Sequence, residues 1–152
     1  MTQTFPIIPG QVRILWVALP ALLLLLAVFG TLAYSLSGAR NARFEVSPVG
    51  LRLRGDFYGR FILAGDLRLG GARAVNLRDE DPTLAPVRRT MGTATRGYQA
   101  GWFRLRDGQR ALVYITDPSH VAYVPTANGY ALLLSVADPD AFLASLRRIA
   151  PN

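Results

Sequence analysis

Apolar and polar positions follow three patterns along this chain. Residues 14–36 read ILWVALPALLLLLAVFGTLAYSL, 23 positions without a charge. A helix rises about 1.5 Å per residue, so the run reaches roughly 34 Å, enough to cross a hydrocarbon core of about 30 Å. It predicts one transmembrane helix. Trp16 and Tyr34 stand near its ends, where aromatic rings favour the membrane interfaces. Pro20 falls in the second turn and removes one backbone donor, which membrane helices tolerate.

Period two follows. Phe44 and Val46 alternate with Glu45 and Ser47; after a turn at 48–50, Leu51 and Leu53 alternate with Arg52 and Arg54. That predicts a hairpin with one wet face. Residues 58–64, the surroundings of Leu67 and Leu69, and those of Val75 and Leu77 are further strand candidates, interrupted at Gly70 and Gly71. Residues 79–97 have no clean period and read as a long irregular connection, a feature that in a compact domain is often functional. Then come GWFRLR at 101–106 and RALVYIT at 110–116 around Asp107-Gly108. HVAYVPT at 120–126 and YALLLS at 130–135 flank Asn128-Gly129. Asp-Gly and Asn-Gly supply the positive φ that tight hairpins need. With 117–119 as a joint, the simplest expectation is a four-stranded antiparallel meander.

The third pattern is helical. Asp138 suits an N-cap, Pro139 the first helical position and Asp140 the positive end of the dipole. Phe142, Leu146 and Ile149 fall at i, i+4 and i+7, one apolar stripe, and Arg147 and Arg148 close the last turn. The predicted organisation is a tail at 1–13, a transmembrane helix at 14–36, a linker at 37–43 and a mainly-β domain at 44–152. That domain is a barrel or sandwich of about six to seven antiparallel strands with one C-terminal helix.

Residues 97–146, GYQAGWFRLRDGQRALVYITDPSHVAYVPTANGYALLLSVADPDAFLASL, resemble the second half of the bacterial PH-like (pleckstrin-homology-like) domains of uncharacterised membrane proteins. The shared pattern is a strand opening Gly-Trp-Phe, an apolar strand ending in Thr-Asp and a strand ending near Pro-Thr. An apolar strand ending in Ser and a D-P-x-x-F helix start complete it. Arg89-Thr90 with Gly92 and Gly97 resembles the approach to it. The resemblance covers about the last 60 residues well and the first half weakly. It implies architecture more than activity, because these motifs shape a fold and the PH superfold serves many ligands.

Charge changes the picture little. The net charge is +7, and all 17 basic residues are arginine. They are spread along the chain, so codon usage and solvated strand faces account for most of the excess. Arg13 precedes the apolar run and Arg40 and Arg43 follow it, which leans the C-terminal side towards the cytoplasm of a single-pass cell-membrane protein. A cleaved signal peptide is the rival reading, since Ser35, Ser37 and Ala39 are small, but its apolar region usually spans only about 7–15 residues.

Candidate chemistry is sparse. No cysteine is present, which removes disulfides and thiol chemistry. The lone His120 has Asp117 and Ser119 near it in sequence, but residues along one strand face apart, so no triad is expected. Asp79, Glu80 and Asp81 are consecutive, without the alternate spacing of a calcium loop. Gly92 and Gly97 have phosphate-loop spacing, but Tyr98-Gln99 stand where Lys-Ser/Thr is required. Trp102 and Phe103 are expected to pack on opposite faces of one strand. Trp102, Arg104 and Arg106 share a face as an RNA platform would, a reading a membrane tether disfavours. The densest basic group, Arg88, Arg89 and Arg96 with Tyr98, is the candidate contact for an anion, a lipid headgroup or a partner. The expected function is therefore a noncatalytic, membrane-anchored module for protein or lipid-headgroup interaction. No cofactor, catalytic residue, metal or nucleic acid is expected. The alternatives are an assembly subunit of a membrane complex or a secreted domain.

Overall fold

The structure is a computed structural model that describes residues 14–55 and 57–150. The tail at 1–13 lies outside the described residues. The chain divides into two units, Met1–Tyr34 and Ser35–Asn152.

The apolar run forms α1, Ile14–Asn41, with Pro20 inside it. Residues 37–41, expected as linker, continue the helix. One glycine costs a helix interior only about 1 kcal/mol, and extending a formed helix is far easier than nucleating one. Five consecutive leucines, 22–26, step round the axis by about 100° each, and every one is more than half exposed. Thr31 donates to Ala27 O at 3.0 Å and Val28 O at 2.9 Å, so its hydroxyl is satisfied within the helix. Trp16 is exposed; the side chain of Tyr34 lies outside the described residues. Among the described residues, whose side chains are continuous in α1 only over 18–33, no helix is long and apolar enough to cross a membrane.

The first hairpin forms as its alternation predicts: β1, Arg43–Ser47, pairs antiparallel with β2, Gly50–Arg54. β3, Phe61–Leu63, adds to β2 and completes a three-stranded sheet. Around Leu67 and Leu69 the chain makes two single turns of 3-10 helix instead of a strand, burying both leucines, and keeps one bridge from Leu67 to Thr126. Gly70 and Gly71 are too weak as strand formers to hold a ladder there.

The second sheet has six strands. They are β4 (Arg73–Val75), β5 (Pro86–Thr95), β6 (Tyr98–Leu105), β7 (Arg110–Ile115), β8 (Val121–Pro125) and β9 (Ala131–Ser135). Their order is β4-β8-β9-β7-β6-β5. Among the described residues nine strands thus replace the six or seven expected, and the meander is corrected. β9 inserts between β7 and β8 and runs parallel to β7. The 116–120 connection therefore arches over the end of β9. Ser135, the last residue of β9, holds the arch: its hydroxyl accepts from Thr116 N and Asp117 N and donates to Asp117 O at 2.8 Å.

The irregular connection is also corrected. Residues 86–95 form the ten-residue edge strand β5, in a long hairpin with β6. Irregularities at Val87 and Thr90, together with wide exposure, erase the period-two pattern.

Trp102 and Phe103 separate as expected, onto two buried clusters on opposite faces of the six-stranded sheet. On the Trp102 side lie Leu51, Leu53 and Ile62 of the small sheet and Leu143 and Leu146 of α2, Pro139–Ile149. On the Phe103 side, Leu77 and Leu84 from the connection before β5 close the layer. Asp138 caps α2 by accepting from Ala141 N at 2.9 Å, and Arg147 at its other end donates to Ala72 O. The architecture is a sheet-on-sheet sandwich with one C-terminal helix.

Candidate anion-binding groove

The expected basic group does not converge. Arg88 and Arg89 are exposed on β5 and Arg96 lies in the turn after it. Seven residue steps along the strand separate Arg89 from Arg96, about 23 Å at roughly 3.3 Å each, too far to grip one headgroup. Tyr98, expected as a surface contact, is buried among Trp102, Leu112 and Leu134. As the first residue of β6 it faces the core, not the basic edge.

A different arginine set does converge. The alternation of β2 places Arg52 and Arg54 on the exposed face while Leu51 and Leu53 are buried. The chain returns through Gly59 and Arg60, and Leu53 N donates to Arg60 O at 2.8 Å. Arg52, Arg54 and Arg60 then line an open groove of about 500 Å³ with Gly55, Gly59 and Phe61. Glu45 meets Arg54 at 3.2 Å with both side chains about half exposed, a contact worth little in water. Among the described residues no acid lines the groove itself; Asp56 lies outside them.

Aromatic rings order two of these cations. Arg52 lies 5.4 Å from the Phe61 ring centre, its register partner across the ladder. Arg60 lies 4.7 Å from Trp102 and 5.8 Å from Tyr130, and those rings meet edge to face at 5.0 Å. Arg110 stacks on the same indole at 4.3 Å. Trp102 therefore carries two guanidinium groups. Stacking leaves the planar N–H fork of each available to an anion, a geometry that suits phosphate or carboxylate. Apolar side chains flank the cations. Among the described residues outside α1, the exposed large hydrophobic residues are Phe61 in the groove, Val49, Phe57 and Leu63 elsewhere in 49–63, and Val87 and Met91 on β5. The sequence signal for this site was the Arg52/Arg54 alternation. Arg60 and its stacking on Trp102 and Tyr130 join residues far apart in sequence and carry no local signature.

Asp117, Ser119 and His120 do come together, contrary to the expectation that they face apart, because the arch over β9 is a turn and not a strand. Ser119 donates to Asp117 at 2.6 Å, and His120 Nδ1 lies 3.0 Å from Asp117 and 3.1 Å from Ser119. One ring nitrogen meets both partners. A triad needs the imidazole to bridge acid and nucleophile through its two nitrogens, so the cluster is a turn lock. Hydrogen bonds from the Ser119 hydroxyl and backbone, then from His120, hold the Asp117 carboxyl well below the usual carboxylate range. Of the acidic run, Asp81 is spent on Thr83 and on Arg73 at 2.6 Å. Asp79 accepts from Asn76. Among the described residues no cluster could hold a metal ion.

The geometry is thus a mainly-β sandwich closed by a C-terminal helix, with a basic groove on its small sheet. The family profile described as bacterial PH domain matches residues 73–150, just over half of the chain. The chain belongs to this family. The match runs from β4 through α2 and leaves β1–β3, with the groove's arginines, outside. No curated protein and no solved structure matches the chain.

Proposed function

We propose that the protein is a noncatalytic binding module tethered to a membrane by α1, and that the groove of Arg52, Arg54 and Arg60 contacts anionic lipid headgroups. The observation that carries the tether is the exposed circumference of α1. A helix apolar all round is stable only inside a protein core or in lipid, and these leucines are exposed on every side of the helix. The internally satisfied Thr31 hydroxyl fits the same medium, where no water would serve it. Only Ala42 separates α1 from β1, so a tether keeps the domain at the surface. Exposed Phe61 beside arginines is the composition of an interfacial contact, with an apolar group for the acyl boundary and cations for phosphate. The sign of the flanking charges favours a cytoplasmic domain in this reading.

The tether is tested by alkaline carbonate extraction of membranes from cells expressing the full chain. Retention in the pellet is expected. Release into the supernatant, or a mature amino terminus beyond residue 36, excludes the anchor.

A further inference from the structure

β5 is the open edge of the six-stranded sheet, with β6 as its only neighbour. Among the described residues no hydrogen bond reaches its outer side. The Thr90 and Thr95 hydroxyls both turn back onto β6 carbonyls. Proteins normally blunt such an edge, and half of this one is blunted by irregularities at Val87 and Thr90. The other half is not. From Met91 to Thr95 the register with β6 is unbroken, so its outward N–H and C=O groups present a regular ladder. The ends of this ladder are basic, with Arg88 and Arg89 before it and Arg96 after it. Arg104 sits opposite Arg88 on β6. Residues 86–106 hold five arginines and no acid. Met91 and Val87 add apolar surface, exposed at 62% and 55%.

We propose that this edge accepts an extended acidic segment of a partner protein as a seventh strand. About five residues pair with 91–95, and carboxylates beyond each end reach Arg88 and Arg89 on one side and Arg96 on the other. The backbone ladder supplies the pairing and the separated charges supply selection, as in other strand-addition interfaces. The spacing that prevents these arginines from gripping one headgroup suits an extended chain. This inference is independent of the membrane reading, since it uses neither α1 nor the Arg52 groove.

The test uses the full chain in neutral detergent and a nine-residue peptide with two glutamates on each side of Val-Thr-Val-Thr-Val. Binding and amide hydrogen exchange are measured together. The expected result is saturable binding with new protection of amides within 87–95. Affinity should fall about tenfold or more in the Arg88→Ala/Arg89→Ala/Arg96→Ala variant, and a peptide of equal charge with two central prolines should give no protection. Absence of binding overturns the proposal. So does binding without protection of β5, equal binding of the proline peptide, or protection of β5 by anionic vesicles but not by the peptide.

Discussion

At the scale of single residues, Arg73 shows charge spent locally. Arg73 lies over Tyr123 and pairs with Asp81, and Thr83 binds the same carboxylate. The Thr83 hydroxyl first, and the Arg73 guanidinium second, hold the Asp81 carboxyl below its usual range. Its value is lower folded than unfolded, so the unfolded chain binds more protons in mild acid. The stabilisation is complete above the unfolded value of about 3.9 and is lost as the pH falls through the folded value. The urea midpoint should therefore drop between pH 5 and pH 2. Asp81→Asn should be less stable than the parent at pH 5 and should approach it at pH 2. A constant difference across this range would show that Asp81 acts through packing and not through charge. Some residue-level features were legible in sequence. The Asp138 cap, Pro139, and the opposed burial of Trp102 and Phe103 follow from local pattern. The clustering of Arg60 and Arg110 on Trp102 does not, because each partner comes from a different strand or loop.

At the scale of elements, the local signals succeed where a buried face enforces a period. β1, β2 and α2 each bury one side, and each shows it in sequence. β5 buries little, so nothing compels alternation, and its residues resemble a loop. Pairing order is likewise absent from periodicity. The runs of β7, β8 and β9 are unmistakable strands, but the insertion of β9 beside β7 depends on the arch held by Ser135. One glycine pair, however, connects pattern to geometry. Gly101 has φ +114°, and a Cβ there would lie 2.4 Å from Met91 O and 2.6 Å from Gly92 Cα. The glycine of Gly-Trp-Phe, in the middle of β6, is thus required because the β5 backbone approaches closely at its ladder partner Gly92. Gly101→Ala should cost about 2–3 kcal/mol through backbone strain and overpacking, read as a lowered urea midpoint. A cost below about 0.5 kcal/mol, the level of an ordinary surface change, would mean the two strands can separate freely.

At the scale of the whole molecule, the family match and the candidate groove fall on different parts of the chain. The matched region builds the six-stranded sheet and α2; β2 and the connection before β3 lie outside it and supply all three arginines of the groove. The small sheet buries Leu51, Leu53 and Ile62 against the Trp102 face, so the site is carried by the same core as the family fold. Sequence reading identified the family and the helix at the end; its basic group, Arg88, Arg89 and Arg96, is spread along the β5 edge, apart from the groove of Arg52, Arg54 and Arg60. Exposed arginines are indistinguishable until the fold shows which share a groove. The most direct measurement is flotation of the Ser35–Asn152 unit with vesicles of neutral lipid, with and without anionic lipid, over a salt series. Binding should need anionic lipid, weaken as salt screens the surface, and be lost in the Arg52→Ala/Arg54→Ala/Arg60→Ala variant, whereas Arg88→Ala/Arg89→Ala leaves it unchanged. No flotation at low salt, or equal flotation of the triple variant, would contradict headgroup contact through this groove.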